Sequence, residues 1–179
     1  MAILEIVQYP DLRLKRRANK VVDVKDPAIQ QLIKNMLDTL ASHEECAALA
    51  ATQLAIDNPP SIIVVNGLED FFEEKPFCLV NPKIIAAKGS KKITENEGCM
   101  SILPDAISAP VKRAYEIIIS AEDRHGNCLN NIQVKDFAAR CLQHEYDHLQ
   151  GIIFLDHLSK KLRKKIDAKI LEISASRKS

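Results

Sequence analysis

Apolar residues recur at Ile29, Leu32, Ile33, Met36, Leu37 and Leu40. Steps of three and four predict an amphipathic helix over 27–43. Asp26-Pro27 reads as an N-cap followed by proline at the first helical position. The small apolar run 47–55 is too short for its period to assign, and Asn58-Pro59-Pro60 breaks it. From Ser61 to Asn66 the pattern is a buried-type strand. Phe77 to Val80 and Lys83 to Ala87 read as two strands around Asn81-Pro82, after an acidic loop from Gly67 to Pro76 that carries Phe71 and Phe72. Lys91 to Glu95 is a further candidate strand. Tyr115 to Ala121 and Cys128 to Val134 flank the turn His125-Gly126-Asn127, which predicts a hairpin. Helical spacing returns over 137–150, with Asp136 as its cap and Gly151 as its C′ residue. It returns again over 158–173, where Leu158, Leu162, Ile166, Ile170 and Ile173 form one apolar stripe. The order is helix, strands, helix, helix. That predicts an α+β class, with mixed strands around a central helix, rather than a doubly wound sheet.

Composition narrows this picture. The 179 residues suit a single domain spanning 1–179, and 46% hydrophobic content supports a core and excludes a wholly disordered chain. No apolar run approaches the roughly 18 residues of a membrane span. The N-terminus, MAILEIVQYPDLRLKRR, places its short apolar stretch before its basic cluster. That is the reverse of a secretory signal, so a cytoplasmic location is expected. Five cysteines, an odd number with no C-x-x-C pair, argue against a complete disulfide framework. Net charge is +1, but Leu158 to Ser179 carries eight Lys/Arg against two Asp/Glu, leaving a mildly acidic body and a basic tail. The tail lacks interleaved aromatics, so sequence-specific nucleic-acid binding is not expected.

Chemistry concentrates in His144-Glu145-Tyr146-Asp147-His148. On a helix the two histidines share one face and can grip one metal ion, while Glu145 can reach a bound water as general base. A solvated helix with surface histidines is the plain alternative. Against it, both histidines continue the stripe Phe137–Cys141, the face such a helix buries. A third ligand must come from elsewhere. The position where metzincins carry their third histidine is Phe154 here, and Glu172, the candidate for a thermolysin-like site, falls in the basic helix. Cys99, within Glu97-Gly98-Cys99-Met100-Ser101, is the best candidate, since Gly98 frees the backbone to turn and a thiolate is a good soft ligand. Cys141 reads as core rather than ligand.

Taken together, these segments resemble the peptide deformylase family. The family motif G-φ-G-L-A-A-x-Q is matched by CAALAATQ (46–53), E-G-C-φ-S by 97–101 and Q-H-E-φ-D-H-L by 143–149. The resemblance covers about residues 5–160, including the opening Tyr9-Pro10-Asp11-x-Arg13-Leu14. It implies a compact α+β fold in which Cys99, His144 and His148 hold one divalent ion. That ion is ferrous iron in native family enzymes, and Zn2+, Ni2+ or Co2+ suit the same ligands. It implies that Glu145 takes a water's proton and passes it to the leaving amine. By the same resemblance, Gln53 and the backbone N–H of Met100 are expected to stabilise the oxyanion. Cys46, Ala48 and Leu49 lie along the substrate, an N-formylmethionyl nascent peptide, which loses formate. It also implies docking of the basic C-terminal helix on the ribosome. The chain departs from the family at both glycines of the first motif, replaced by Cys46 and Ala48. The stretch after Ser101 carries one extra residue and lacks an arginine, while Arg113 matches a later family arginine expected to pair with Glu97. Ala48 preserves a backbone contact to substrate only at negative φ. Alternative readings are an H-E-x-x-H zinc peptidase of another class, or a deformylase-like protein with altered substrate or reduced activity that binds peptide ends.

Overall fold

The computed structural model describes residues 2–43, 46–66, 68, 76–103 and 106–176. Helix α1, Pro27–Ala41, begins as its sequence predicts: the Asp26 carboxylate accepts from the Ala28 amide at 2.7 Å, and proline occupies the first turn. Five strands then form one sheet in the order β1-β2-β3-β6-β7. They are β1 (Ala48–Ala50), β2 (Ile62–Val65), β3 (Phe77–Ala86), β6 (Glu116–Glu122) and β7 (Cys128–Lys135). A separate pair, β4 (Lys92–Glu97) and β5 (Ala109–Ala114), makes a two-stranded ribbon. The ladders between these strands are all antiparallel rather than mixed, with one isolated parallel bridge between Asn19 and Pro60. Helix α2, Asp136–Leu149, and helix α3, Lys160–Ser176, complete the α+β order.

Around β2 the central sheet is covered on both faces, which explains the unbroken apolar run of that strand. Ile63 and Val65 join Leu79, Ile117, Ile119, Ala139 and Leu142 in a core shared with α2. Ile62 and Val64 point the other way, into a core with Ile33, Met36 and Leu40 of α1. A third cluster joins the ribbon to α3: Val111 and Ile102 pack with Phe154, Ile166 and Ile170.

Several sequence expectations change here. The two strands around Asn81-Pro82 are one strand with a register shift between Val80 and Lys83. Asn81 adopts φ +51°, and its side chain bonds both the amide and the carbonyl of Val21, so it can leave the ladder without orphaning polar groups. Strands β1 and β5 carry no clear alternation signal in the sequence; both are set by their partners. Asp136 does not cap α2. Strand β7 runs directly into the helix, and Asp136 makes the corner itself at φ +59°, its amide bonded to the carbonyl of Tyr115. The last helix starts and ends slightly later than the 158–173 expected. Of the acidic loop, residues 67 and 69–75 lie outside the described residues, as do 104 and 105 of the stretch after Ser101.

Gly151 ends α2 as its position predicts. Its φ is +74°, its amide bonds the carbonyl of His148 at 3.0 Å, and the next amide, of Ile152, returns to Asp147 at 2.9 Å. A Cβ there would meet the Lys15 carbonyl group, with its carbon at 2.8 Å. This turn anchors the C-terminal end of the helix that carries both histidines. Gly151→Ala combines a left-handed backbone with a backbone collision, and should cost roughly 2–4 kcal/mol. An unfolding free energy from urea titration lowered by less than about 1 kcal/mol would contradict this account of the turn.

Candidate metal centre

Helix α2 presents two faces. Ala138, Ala139, Leu142 and Leu149 pack on the sheet. His144 and His148, both buried, face the ribbon, where the chain leaving β4 carries Cys99. The Cys99 Sγ lies 3.2 Å from Nε2 of His148, which lies 3.2 Å from Nε2 of His144. All three donor atoms fall within 4.8 Å of one another. Metal–ligand bonds of about 2.0–2.3 Å set tetrahedral donor atoms roughly 3.3–3.6 Å apart, so the cluster has the dimensions of three ligands around one ion. Cys141 is not part of it. Gly98 does not supply a left-handed turn: its φ is not positive, and a Cβ would make only an ordinary 3.7 Å contact with the Ile107 carbonyl.

Behind the ligands stands a buried ionic network. Glu97 Oε2 accepts from Nδ1 of His144 at 3.1 Å, and Arg113 grips both Glu97 oxygens at 2.9 and 3.0 Å. Arg140 adds a bond to Oε1 at 2.7 Å. Burial pushes the Glu97 carboxyl up, but the bonds from His144 and Arg113 outweigh it and hold it at about 2. Burial pushes the His144 imidazole down, but its bonds to Cys99 and Glu97 outweigh this and hold it well above its usual range, so Glu97 keeps the Nδ1 proton in place and an ion must displace the proton on Nε2 to bind there. Burial holds the His148 imidazole well below its usual range, in the neutral form that ligates. Arg113 also pairs with Asp147, which accepts from His157 at 2.6 Å.

On the open side of the cluster is a cavity of about 290 Å3. Glu145 lines it, fully buried; burial raises its carboxyl to about 7, and the nearby charges of His144 and Arg113 and the Ala50 amide pull back only in part. Its Oε2 has no hydrogen-bond partner among the described residues. Gln53 also lines the cavity. Its Oε1 accepts from the Ala50 amide at 2.9 Å, which turns Nε2 toward Cys99 Sγ (3.6 Å) and Ser101 Oγ (3.3 Å). The Thr52 hydroxyl donates to the His148 carbonyl at 2.8 Å, tying the Gln53 turn to the histidine helix.

Of the expected substrate-side residues, Cys46 and Ala48 line this cavity and Leu49 does not: its side chain is fully buried in the core with α1. Strand alternation is the reason, since β1 turns successive side chains to opposite faces. Ala48 has negative φ, so the missing glycine leaves the strand unstrained. Burial, reinforced by Glu145 and Cys99, pushes the Cys46 thiol up to about 12, and it donates to the Ala48 carbonyl at 3.0 Å. It is a neutral wall residue, not a nucleophile. Met100 lines the cavity as well. Phe137, expected on the buried stripe, is 60% exposed at the cavity rim. Arg140 and Asp147 escaped the sequence reading. Their signal is helical: they lie four residues before and three after His144. Glu172, the alternative zinc-peptidase ligand, is exposed on α3.

Three converging donors, an open side and an unligated carboxyl beside them define a metal-dependent hydrolase. The polypeptide deformylase family profile matches residues 3–164. The chain is 43% identical over 168 residues to peptide deformylase 1 of Coxiella burnetii, covering 94% of this chain and 95% of that one. It is 40% identical over 169 residues to the peptide deformylase of Nitrosococcus oceani, with the same coverage. The crystal structure of the Ehrlichia chaffeensis peptide deformylase in complex with actinonin superposes with a TM-score of 0.83 at 33% identity, covering both chains fully. The chain belongs to the peptide deformylase family, metal-dependent hydrolases that remove the N-formyl group from nascent peptides. No helix among the described residues is long and apolar enough to cross a membrane.

Because Glu97 both orients His144 and neutralises two arginines, Glu97→Gln should weaken metal binding about 10- to 100-fold in chelator competition. It should also destabilise the fold by roughly 3–5 kcal/mol, the cost of breaking a buried pair. Unchanged metal affinity would show that Glu97 has no part in setting the ligand.

Proposed function

We propose that Cys99, His144 and His148 hold the divalent ion of a deformylase acting on N-formylmethionyl peptides, and that the native ion is ferrous iron. The choice of iron over zinc, nickel or cobalt rests on the family, since one thiolate and two imidazoles accept all four. When bound, such an ion supplies Lewis acidity and lowers the pKa of water from about 15.7 toward ~7. The rest of the work falls to the chain. Glu145 takes the proton of the attacking water and returns it to the amine nitrogen as the formyl C–N bond breaks, giving formate and a free amine. Gln53 Nε2 and the backbone N–H of Met100 donate to the formyl oxygen as charge develops on it. Cys46 and the backbone of β1 lie along the peptide.

The observation that carries this reading is Glu145: a buried carboxyl near 7, with one oxygen unpartnered, facing the same cavity as the three donors and Gln53. A site that only binds peptide ends, or holds metal for stability, has no use for it. The test is formate release from formyl-Met-Ala-Ser by protein purified anaerobically, with its metal content measured. Glu145→Ala should retain one metal per chain and lose at least about 10²-fold in kcat. Loss of the metal in that variant would overturn the assignment.

We also propose a cytoplasmic enzyme that docks on the ribosome through α3. The apolar stripe of α3 packs on its own domain, with Ile166 and Ile170 buried, while Lys160, Lys161, Lys164 and Lys165 are exposed. Arg163 is excluded from docking because it bonds Tyr9, Asp156 and Asp167. Co-sedimentation with bacterial ribosomes should fall steeply with salt, as counterion release requires. Changing Lys160, Lys161, Lys164 and Lys165 to Glu should abolish it and leave turnover of the short peptide intact. Salt-independent binding, or full binding by the charge-reversed protein, would overturn this.

A further inference from the structure

The cavity beside the three donors is lined by groups of unlike chemistry. Apolar or neutral lining comes from Cys46, Ala47, Cys141 and Phe137, and charged lining from Glu97 and Arg140. Arg140 is only 7% exposed and sits one helical turn before His144. Its Nε donates to Glu95 at 2.9 Å, one Nη to Glu97 at 2.7 Å and to the Val111 carbonyl at 3.1 Å, and the other Nη to the Ile93 carbonyl at 3.2 Å. A guanidinium has five N–H donors. The four bonds hold it rigidly against the β4–β5 ribbon and leave one Nη hydrogen with no partner among the described residues. That donor belongs to a group forming the cavity wall. A purely apolar guest leaves it unsatisfied where water has been displaced.

Bond connectivity says which part of a substrate meets this wall. If the formyl carbon sits at the metal ligands, as in the deformylase reading on which this inference rests, the first Cα is two bonds away. The first side chain is then within reach of the adjoining cavity. A methionine thioether is a weak acceptor. Its sulfoxide has nearly the same length and carries a strong acceptor oxygen near the end of the chain. We propose that Arg140 is a specificity-determining residue that lets this enzyme accept formyl peptides whose first residue is methionine sulfoxide. The reaction that supplies such a substrate is two-electron S-oxidation of the formylmethionyl terminus by a peroxide, which gives up one oxygen to the sulfur and leaves as water or an alcohol. The guanidinium donates to the sulfoxide oxygen, while Cys46, Cys141 and Phe137 pack the aliphatic part of the side chain.

The experiment compares kcat/KM for formyl-Met-Ala-Ser and its methionine-sulfoxide counterpart on the nickel-loaded full chain. For the wild type, the sulfoxide-to-methionine ratio should be about one or higher, and a lower ratio overturns the proposal. In Arg140→Met the ratio should drop about 10- to 100-fold, the contribution of a hydrogen bond to a charged donor. An unchanged ratio in that variant also overturns it. The ratio cancels any general loss of activity through Glu97, and if the variant fails to fold, the wild-type ratio decides alone. Failure to turn over either peptide would instead overturn the deformylase reading and this inference with it.

Discussion

Glu97 is the constraint on which the site depends. One buried carboxylate, two residues before Cys99 on the same chain, receives Arg113 from β5, Arg140 from α2 and one histidine of the donor cluster from α2. A carboxylate out of water is tolerable only with such partners, and two buried arginines are tolerable only with such a carboxylate. The network therefore fixes the distance between ribbon and helix. That distance sets the separation of Cys99 from His144 and His148. Charge pairing here does the positioning that apolar packing, which is not directional, cannot do.

Helix α2 is used on two sides for different purposes. Its alanines and leucines pack against the sheet, and its histidines and Glu145 face the cavity. Both ends of the helix are held by backbone geometry rather than by side-chain caps. Asp136 makes the corner from β7, and Gly151 closes the last turn against the Lys15 backbone. A helix so anchored has little freedom to slide, and small displacements matter where ligand atoms are 3.2 Å apart. Helix α3 follows the same economy of faces. Its apolar stripe closes the cluster under the ribbon, and its five lysines remain exposed.

Much was legible in the sequence because it depends on local periodicity. The helical steps around Leu32, Met36 and Leu40 and the spacing of His144 and His148 are properties of one segment. So are the cap at Asp26 and the stop at Gly151, and in each case the backbone responds as local sterics demand. Cys99 became a ligand candidate through its motif and its combination with the histidines, since a lone cysteine carries no signal of its own. Tertiary structure decided what local pattern does not encode. Strands β1 and β5 exist because partners supply their hydrogen bonds. Leu49 turns to the core and Ala48 to the cavity because register with β2 sets which face is which. Arg140 and Asp147 entered the site because Glu97 and Arg113 came to them from the ribbon, across more than thirty positions of sequence. Pairing over such separations is fixed by the fold as a whole, and no window of the chain contains both partners.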